Sequence, residues 1–194
     1  YNKGIGFRKW YGISGDCVIW KNNGEALRSF VDISGKIKSR PQGVEYYFKE
    51  GICWGEVSTK GMNARVSPEG VIFTSTSPTY FTDSNKYPFI ISLLNSKVVD
   101  LIMEFLSPTQ HFTIGSVKNV PFIDEIESQA SIKEKVQECI RISRNDWDSK
   151  EISWHFTKNE IIKYAEGIKF EFEESIELYK ARWTQPFCQL HQLE

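Results

Sequence analysis

Short runs of aromatic and β-branched residues separated by glycines constrain the fold of this chain more than any other feature. They fill the stretch from Glu45 to Phe73, which the chain interrupts with Gly51, Gly55, Gly61 and Gly70. Such runs are typical of short strands joined by tight turns, and we expect three or four strands here. Tyr47 and Phe48 are expected to be buried, as most aromatic residues in strands are.

A second stretch, residues 87–106, predicts the helices on which this sheet packs. Its apolar residues recur at helical spacing: Ile90, Ile91, Leu94, Val98, Leu101, Ile102 and Phe105. This spacing predicts either one long helix or two helices that break near Asn95 and Ser96, ended by Pro108. We expect the apolar stripe to form core rather than a cofactor site.

Weaker patterns predict the remaining elements. A strand is expected at 16–20, and a helix at 24–33 that Asn22 or Asn23 caps and that buries Leu27, Phe30 and Val31. Residues 34–43 predict an exposed basic loop, and 111–123 alternate as a strand. Helices are expected at 127–143 and 159–182, joined by a segment that contains Trp147 and Trp154. The last helix has an apolar stripe, so we expect it to pack on its own chain or on a second copy.

These elements predict an α+β fold, in which a small, twisted and mostly antiparallel sheet packs on helices and a helical spacer and tail follow. We expect two domains, a recognition domain at 1–123 and a helical part at 124–194. The chain begins at Tyr1 without a methionine and ends on Leu193 and Glu194. We therefore expect a fragment.

Charge is distributed unevenly, which favours an anionic partner for the first part of the chain. Residues 1–70 contain 11 Lys and Arg against 7 Asp and Glu, whereas residues 121–194 contain 10 against 15. Lys and Arg hold phosphates, while Arg, Asn and flat hydrophobic side chains on a rigid frame contact bases. The predicted DNA-binding residues are Arg8, Lys9, Lys36, Lys38, Arg40, Lys49, Trp54, Lys60, Asn63, Arg65 and Lys118.

Each of these predictions has a structural alternative. Trp10 and Tyr11, which follow Arg8 and Lys9, are favoured as anchors of the first loop to the core rather than as nucleic-acid contacts. Trp54 and Arg65 are as consistent with a buried position as with a surface one. The bases of residues 34–43 are also consistent with ordinary solvated charge.

Local signatures of catalysis and metal binding are missing from the sequence. His111, His155 and His191 lie far apart, and the four cysteines show no metal-ligand or redox spacing. The adjacent carboxylates at 124–125 and 173–174 are expected on solvated helix ends. We predict no catalytic or metal-binding residue, no membrane span, and reduced, mostly buried thiols in a cytoplasmic protein.

Several ordered blocks resemble one protein family. They are Phe7-Arg8-Lys9-Trp10-Tyr11-Gly12, Tyr47-Phe48-Lys49-Glu50-Gly51-Ile52-Cys53-Trp54, residues 65–73, Leu93-Leu94-Asn95-Ser96-Lys97, residues 107–109 and 112–121, and the tryptophan segments near 147 and 154. Together they resemble the C-terminal target-recognition region of large adenine-specific DNA methyltransferases. The resemblance is strongest to the enzymes of bacteriophage-exclusion (BREX) defence and their restriction-modification relatives. It implies that the last helix of the fragment is cut short.

This resemblance implies that DNA recognition and methyl transfer belong to different parts of a larger parent protein. In the family, the recognition region reads a short double-stranded DNA sequence, and an upstream domain binds S-adenosylmethionine and methylates adenine N6. The upstream hallmark Asn-Pro-Pro-Tyr is absent, because none of the 7 prolines has a proline neighbour. The fragment is therefore expected to bind DNA without methylating it. A protein-interaction or dimerisation module within a complex of defence proteins is the alternative.

Overall fold

The computed structural model describes residues 1–4, 6–12, 15–122, 130–165 and 172–194 of the chain. In chain order the elements are α1 (Lys21–Arg28), a 3-10 helix (Val44–Tyr46), β1 (Gly51–Cys53), β2 (Arg65–Ser67), β3 (Thr79–Tyr80), α2 (Tyr87–Leu94), α3 (Lys97–Leu106), α4 (Ile114–Val117), α5 (Ala130–Asp148), α6 (Glu160–Ala165) and α7 (Phe172–Leu193). The α+β class predicted from the sequence is confirmed.

The sheet is antiparallel and has the order β2-β1-β3. Cys53 lies opposite Arg65 on one side and opposite Thr79 on the other. Glycine suits position 51 because a Cβ there would approach Cγ2 of Thr79 to 2.8 Å and the Tyr80 carbonyl oxygen to 3.0 Å. The stretch 45–73 thus contains two of the expected strands, while the third lies beyond it and residues 44–46 form a 3-10 helix.

An extended N-terminal segment covers the sheet beside β2. The Trp10 N–H donates to the Ala64 carbonyl at 2.9 Å, and the Val66 N–H donates to the Trp10 carbonyl at 2.9 Å. All three residues of β2 are therefore buried, although a half-exposed strand would alternate. Tyr11 is also buried at the same edge, which supports the anchoring role expected for it and for Trp10.

The helical layer breaks where the sequence indicated. Helix α2 ends at Leu94, and Ser96 caps α3 by accepting a hydrogen bond from the Val99 N–H at 3.2 Å. Only part of the predicted apolar stripe is core: Ile91 and Leu94 are buried, and in α3 the buried residues are Val99 and Met103, which the prediction did not include. Val98, Leu101 and Phe105 are exposed, and we call these three residues the α3 face.

One hydrophobic core joins the sheet, the helices and the N-terminal segment. Its members include Trp10, Ile52, Trp54, Met62, Ile91, Val99, Phe112, Val136 and Cys139. Because Val136 and Cys139 belong to α5, this core extends across the predicted division between 1–123 and 124–194. Residue 123 itself lies outside the described residues, and the two-domain division stays a prediction about function.

The C-terminal helices pack on the rest of the chain. The Trp183 indole N–H donates to Glu160 at 2.7 Å and joins α7 to α6. Gln189 donates to Glu138 of α5 at 2.8 Å, and Glu194 accepts from the Trp10 indole at 2.7 Å. We expected the last helix to pack on its own chain or on a second copy, and the structure shows that it packs on its own chain.

Several predicted elements are wrong. Residues 16–20 form no strand, and residues 111–122 contain helix α4, which the Thr113 hydroxyl caps, instead of a strand. Phe48 is exposed rather than buried. Helix α5 extends to Asp148 and so includes Trp147, while Trp154 lies in the connecting segment as expected.

The predicted helix at 24–33 is also wrong in its second half. Asn22, Asn23 and Gly24 have φ values of 51°, 59° and 76°, so they form a left-handed turn inside α1 rather than a cap before it. The helix ends at Arg28, and Phe30 and Val31 are exposed. The start of the helix predicted at 127–143, the carboxylates at 124–125 and residues 166–171 of the helix predicted at 159–182 lie outside the described residues.

Candidate nucleic-acid interface

Three of the predicted DNA-binding residues lie in the interior. Trp54 is 2% exposed and its indole N–H donates to the Phe112 carbonyl at 2.6 Å. Asn63, 1% exposed, accepts from the Gly55 N–H at 2.8 Å. Arg65 is 1% exposed. Their side chains support the fold, and their contact with DNA stays a prediction.

Arg65 is an unusual buried charge because it has oxygen acceptors but no carboxylate partner within the described part of the chain. Its Nη1 donates to the carbonyls of Gly6 and Arg8 at 3.3 and 3.4 Å, and to Asn63 at 3.3 Å. Its Nε has no partner. Burial raises the pKa of the adjacent Cys53 thiol, although the guanidinium works against this shift. Arg65 therefore fixes the N-terminal segment to the sheet through neutral acceptors.

Arg8 and Lys9 tie the same segment to the helices. Arg8 pairs with Asp146 of α5 at 2.6 Å and lies over the Trp147 ring, while Lys9 donates to the Asn95 carbonyl at 3.1 Å. Burial favours a higher pKa for Asp146, but the hydrogen bonds from Arg8 and Lys150 outweigh it and lower the pKa. Both basic side chains are paired within the chain, and their contact with DNA stays a prediction.

The six remaining predicted bases are exposed: Lys36, Lys38, Arg40, Lys49, Lys60 and Lys118. Lys60 lies 5.8 Å from the Phe7 ring, and Lys118 follows α4. Lys36, Lys38 and Arg40 share one projecting element. This element, residues 28–40, is called the hairpin arm below.

Backbone pairing gives the hairpin arm its shape. Val31 pairs with Ile37 as an antiparallel bridge, and the Lys38 N–H donates to the Phe30 carbonyl at 2.9 Å. At the tip the Gly35 N–H donates to the Asp32 carbonyl at 2.9 Å, which closes a turn over residues 32–35. The predicted exposed loop is thus a small hairpin.

The Asp32 carboxylate organises the tip of the arm. Its Oδ1 accepts from the Ser34 N–H at 2.9 Å, the Ser34 hydroxyl at 2.6 Å and the Lys36 N–H at 3.0 Å. Its Oδ2 lies 3.1 Å from Lys38 Nζ. Hydrogen bonds from Ser34, Lys36 and Lys38 lower the pKa of Asp32 to about 2. The arm's only acidic side chain is therefore engaged within the arm, together with Lys38, while Lys36 and Arg40 are exposed.

A cluster of aromatic rings supports the base of the arm. It consists of Trp20, Tyr46, Tyr47, Phe48, Phe73 and Phe81, and is called the aromatic patch below. Tyr46 stacks on Phe81 with centroids 5.0 Å apart, and Lys49 lies 5.4 Å from the Tyr46 ring. Tyr46 and Phe48 are exposed. Exposed aromatic rings beside a basic side chain can stack on nucleobases or pack on a sugar-phosphate backbone.

Sequence reasoning missed the apolar residues of the hairpin arm. Ile33 at the tip is fully exposed, and Phe30, Val31 and Ile37 are also exposed. The signal was available in Asp32-Ile33-Ser34-Gly35, since Asp at the first and Gly at the fourth position are typical of a β-turn. Reading Phe30 and Val31 as a buried helical face concealed it.

Other kinds of site find little support in the described residues. No group of three His, Cys, Asp or Glu side chains there is placed to hold a metal ion, and no helix there has the length and hydropathy needed to cross a membrane. The four cysteines are free thiols; Cys53 and Cys139 are buried, whereas Cys17 and Cys188 are exposed. The antiparallel sheet also lacks the parallel strand ends at which open α/β sheets bind nucleotide cofactors.

Comparison with known proteins identifies the class of this chain. No family profile matches it, but two curated relatives match most of its length and show that it is homologous to a segment of large adenine-specific methyltransferases. Adenine-specific methyltransferase PglX of Lacticaseibacillus casei (strain Zhang) is 40% identical over 161 residues, which is 82% of this chain. Adenine-specific methyltransferase BrxX of Escherichia coli O9:H4 (strain HS) is 30% identical over 173 residues, or 88%.

The match covers a small part of each relative. The chain spans 13% of the length of PglX and 13% of that of BrxX. The resemblance stated from the sequence, a fragment of a larger adenine-specific methyltransferase, is therefore confirmed.

Proposed function

We propose that this chain is the DNA target-recognition part of an S-adenosylmethionine-dependent adenine-N6 DNA methyltransferase that acts in BREX-type phage defence or restriction-modification. The observation that carries the proposal is the homology of most of the chain to 13% of two adenine-specific methyltransferases. Methylation of chosen adenines requires one part that transfers the methyl group and one that selects the sequence.

The absence of an Asn-Pro-Pro-Tyr element supports the sequence-selecting role for this chain. That element belongs to the methyl-transferring domain in the family that the chain resembles, and the sequence contains no adjacent prolines. The described sheet offers no parallel strand ends for a nucleotide cofactor. We assign S-adenosylmethionine and methyl transfer to the rest of the parent chain, so the isolated chain would not be an enzyme.

The surface chemistry supports DNA as the partner. The hairpin arm carries Arg28, Lys36, Lys38 and Arg40 against Asp32 alone, and the adjoining aromatic patch carries Lys49. Basic side chains on a projecting element hold phosphates, and exposed side chains between them can reach the edges of nucleobases. Trp20 of the patch directly precedes α1, and Arg28, the last residue of α1, begins the arm, so this helix joins the patch to the arm.

An exchange of this segment between two full-length relatives with different methylation sequences tests the proposal. The segment is replaced by the homologous residues of the second relative, and N6-methyladenine is mapped across the genome by single-molecule sequencing. We expect the chimera to methylate the sequence of the donor. A chimera that is active and keeps the sequence of the recipient would overturn the proposal.

The α3 face favours a second candidate function, a protein-interaction surface of the parent or of a defence complex. Val98, Leu101 and Phe105 are 63%, 56% and 80% exposed and share one side of α3. A Leu101→Asp variant of the full-length parent tests it by sedimentation velocity. A change in the assembly that the wild type forms would support this function, and identical sedimentation would remove it.

A further inference from the structure

The tip of the hairpin arm presents an apolar side chain in a position that the fold does not use. Ile33 is fully exposed, and it is held between Asp32 and Ser34, which hydrogen-bond to each other. An isoleucine at a rigid, projecting turn contributes nothing to the core. Phe30, Val31 and Ile37 of the arm are exposed as well, and such a group of exposed apolar residues is typical of a contact surface.

The charge of the arm selects the kind of partner. Residues 28–40 carry four bases and one acid, and the single acid is satisfied by Ser34, Lys36 and Lys38. Lys36 and Arg40 are exposed on the same arm, and an apolar tip on a cationic arm suits a polyanion with apolar groups in its grooves better than an ordinary protein surface. Duplex DNA has both, because thymine displays its C5-methyl group in the major groove.

The dimensions of the arm favour the major groove of DNA over the minor groove. From Phe30 to Asp32, before the turn, the chain advances about 7 Å at about 3.3 Å per residue, and the Ile33 side chain at the tip extends this reach toward the major groove's depth of about 8.5 Å. Two paired strands lie about 4.8 Å apart before their side chains are added. Such a ribbon fits a groove about 12 Å wide and not the minor groove of about 6 Å.

We propose that the hairpin arm enters the major groove of duplex DNA and places the Ile33 side chain against the C5-methyl group of a thymine, while Lys36 and Arg40 bind phosphates. This inference rests on the proposed function and adds a sequence-reading residue to it. The rigid tip positions Ile33 before DNA arrives, so little conformational freedom is lost on binding.

Replacing single thymines by deoxyuridine tests the contact, because the two nucleotides differ in that methyl group. The probe is a short duplex that carries the sequence methylated in cells producing the full-length parent protein. Its affinity is measured at one fixed salt concentration against duplexes with deoxyuridine at each thymine in turn. For the wild type we expect about a fourfold loss at one thymine, the value of one buried methyl group.

Three variants of the full-length protein complete the experiment. Ile33→Ala should bind the thymine duplex about fourfold more weakly and lose the difference between thymine and deoxyuridine. Lys36→Gln should weaken binding to all duplexes equally and keep that difference. Ile152→Ala, the same truncation at an exposed isoleucine outside the hairpin arm and the α3 face, should behave as wild type.

The outcomes separate this inference from the proposed function. An Ile33→Ala variant with wild-type affinity, or with the full thymine preference, overturns the inference even where segment exchange transfers the methylation sequence. If Ile33→Ala instead lowers the midpoint of unfolding of the parent without changing DNA affinity, the tip packs against another part of that protein and the inference is wrong. If segment exchange leaves the methylation sequence unchanged, both proposals fall.

Discussion

At the scale of single residues, the most informative side chains are polar groups buried in the sheet. Arg65 and Asn63 were predicted on a DNA-binding surface, and both lie in the interior. Their neighbours in sequence do not reveal this, because Arg65 alternates with ordinary strand residues. Burial of both faces of β2 depends on Trp10, which is distant in sequence and pairs with Arg65. Long-range pairing of this kind has no local signature.

Replacing Arg65 by methionine should destabilise the protein. The change leaves the Gly6 and Arg8 carbonyls and Asn63 without their buried donor, which costs about 2–4 kcal/mol in free energy of unfolding. Urea denaturation measures it. Arg141→Met is the control, since Arg141 is exposed and pairs with Glu138, and should change stability by about 0.5 kcal/mol or less. Equal stabilities of the two variants would contradict the role assigned to Arg65.

Asn95 clamps the helices to the sheet, and its removal should be equally costly. The side chain accepts from the Ala64 N–H and donates to the Ala64 carbonyl, each at 2.9 Å. Asn95→Leu leaves the buried Ala64 N–H unpaired and removes one of the two donors to the Ala64 carbonyl, which keeps the Trp10 N–H, so we expect a loss of about 2–4 kcal/mol in a urea titration. Asn119→Leu alters an exposed amide and should lose about 1 kcal/mol or less. A similar loss of unfolding free energy in both variants would show that burial of the Asn95 amide contributes nothing to stability.

At the scale of elements, prediction succeeded where the signal is local. The break between α2 and α3 follows from Ser96, which caps the next helix through its own hydroxyl. The strand predicted at 111–123 failed because the alternation of apolar residues there is short, and the Thr113 cap decides for a helical turn instead. The hairpin arm was missed because its apolar residues also fit a helical period.

Asp32 should control the order of the hairpin arm. Asp32→Ala removes the acceptor of the Ser34 and Lys36 amides, and we expect these two amides to exchange with solvent at least about tenfold faster by NMR. Asp32→Asn keeps the acceptor oxygen and loses the pairing with Lys38, so an intermediate rate is expected. Unchanged exchange in Asp32→Ala would show that the backbone bonds alone hold the turn.

The same carboxylate gives the arm a defined response to pH. Its pKa is lowered from 3.8 to about 2 by hydrogen bonds from Ser34, Lys36 and Lys38. A lowered pKa stabilises the folded arm above about pH 4, and that contribution is lost as the pH falls through about 2. Amide exchange at Ser34, corrected for its intrinsic pH dependence, should remain slow down to about pH 4 and accelerate below it. In Asp32→Asn no such step is expected.

At the scale of the whole molecule, one core couples the proposed DNA-binding surface to the C-terminal helices. Trp10 packs in the core beside the sheet, and its indole binds Glu194 after α7. Arg8 of the same segment binds Asp146 of α5. Within this packed unit, helices α5, α6 and α7 carry 8 Asp and Glu against 7 Lys and Arg, whereas the hairpin arm carries four basic residues and one acidic residue. The excess of positive charge is therefore concentrated on the hairpin arm.

This distribution of charge predicts how binding to DNA should depend on salt. Each phosphate contact contributes about 0.9 to the slope of log affinity against log salt concentration. A full-length parent carrying Lys36→Gln and Arg40→Gln should therefore show a slope smaller by about 1.8, measured by fluorescence anisotropy with a duplex of its methylation sequence. The control is Lys180→Gln, since Lys180 is exposed on α7 and pairs with Glu177, and its slope should equal that of the wild type. If the double variant keeps the wild-type slope, the hairpin arm does not bind phosphates, and recognition of DNA must be sought on another face of the molecule.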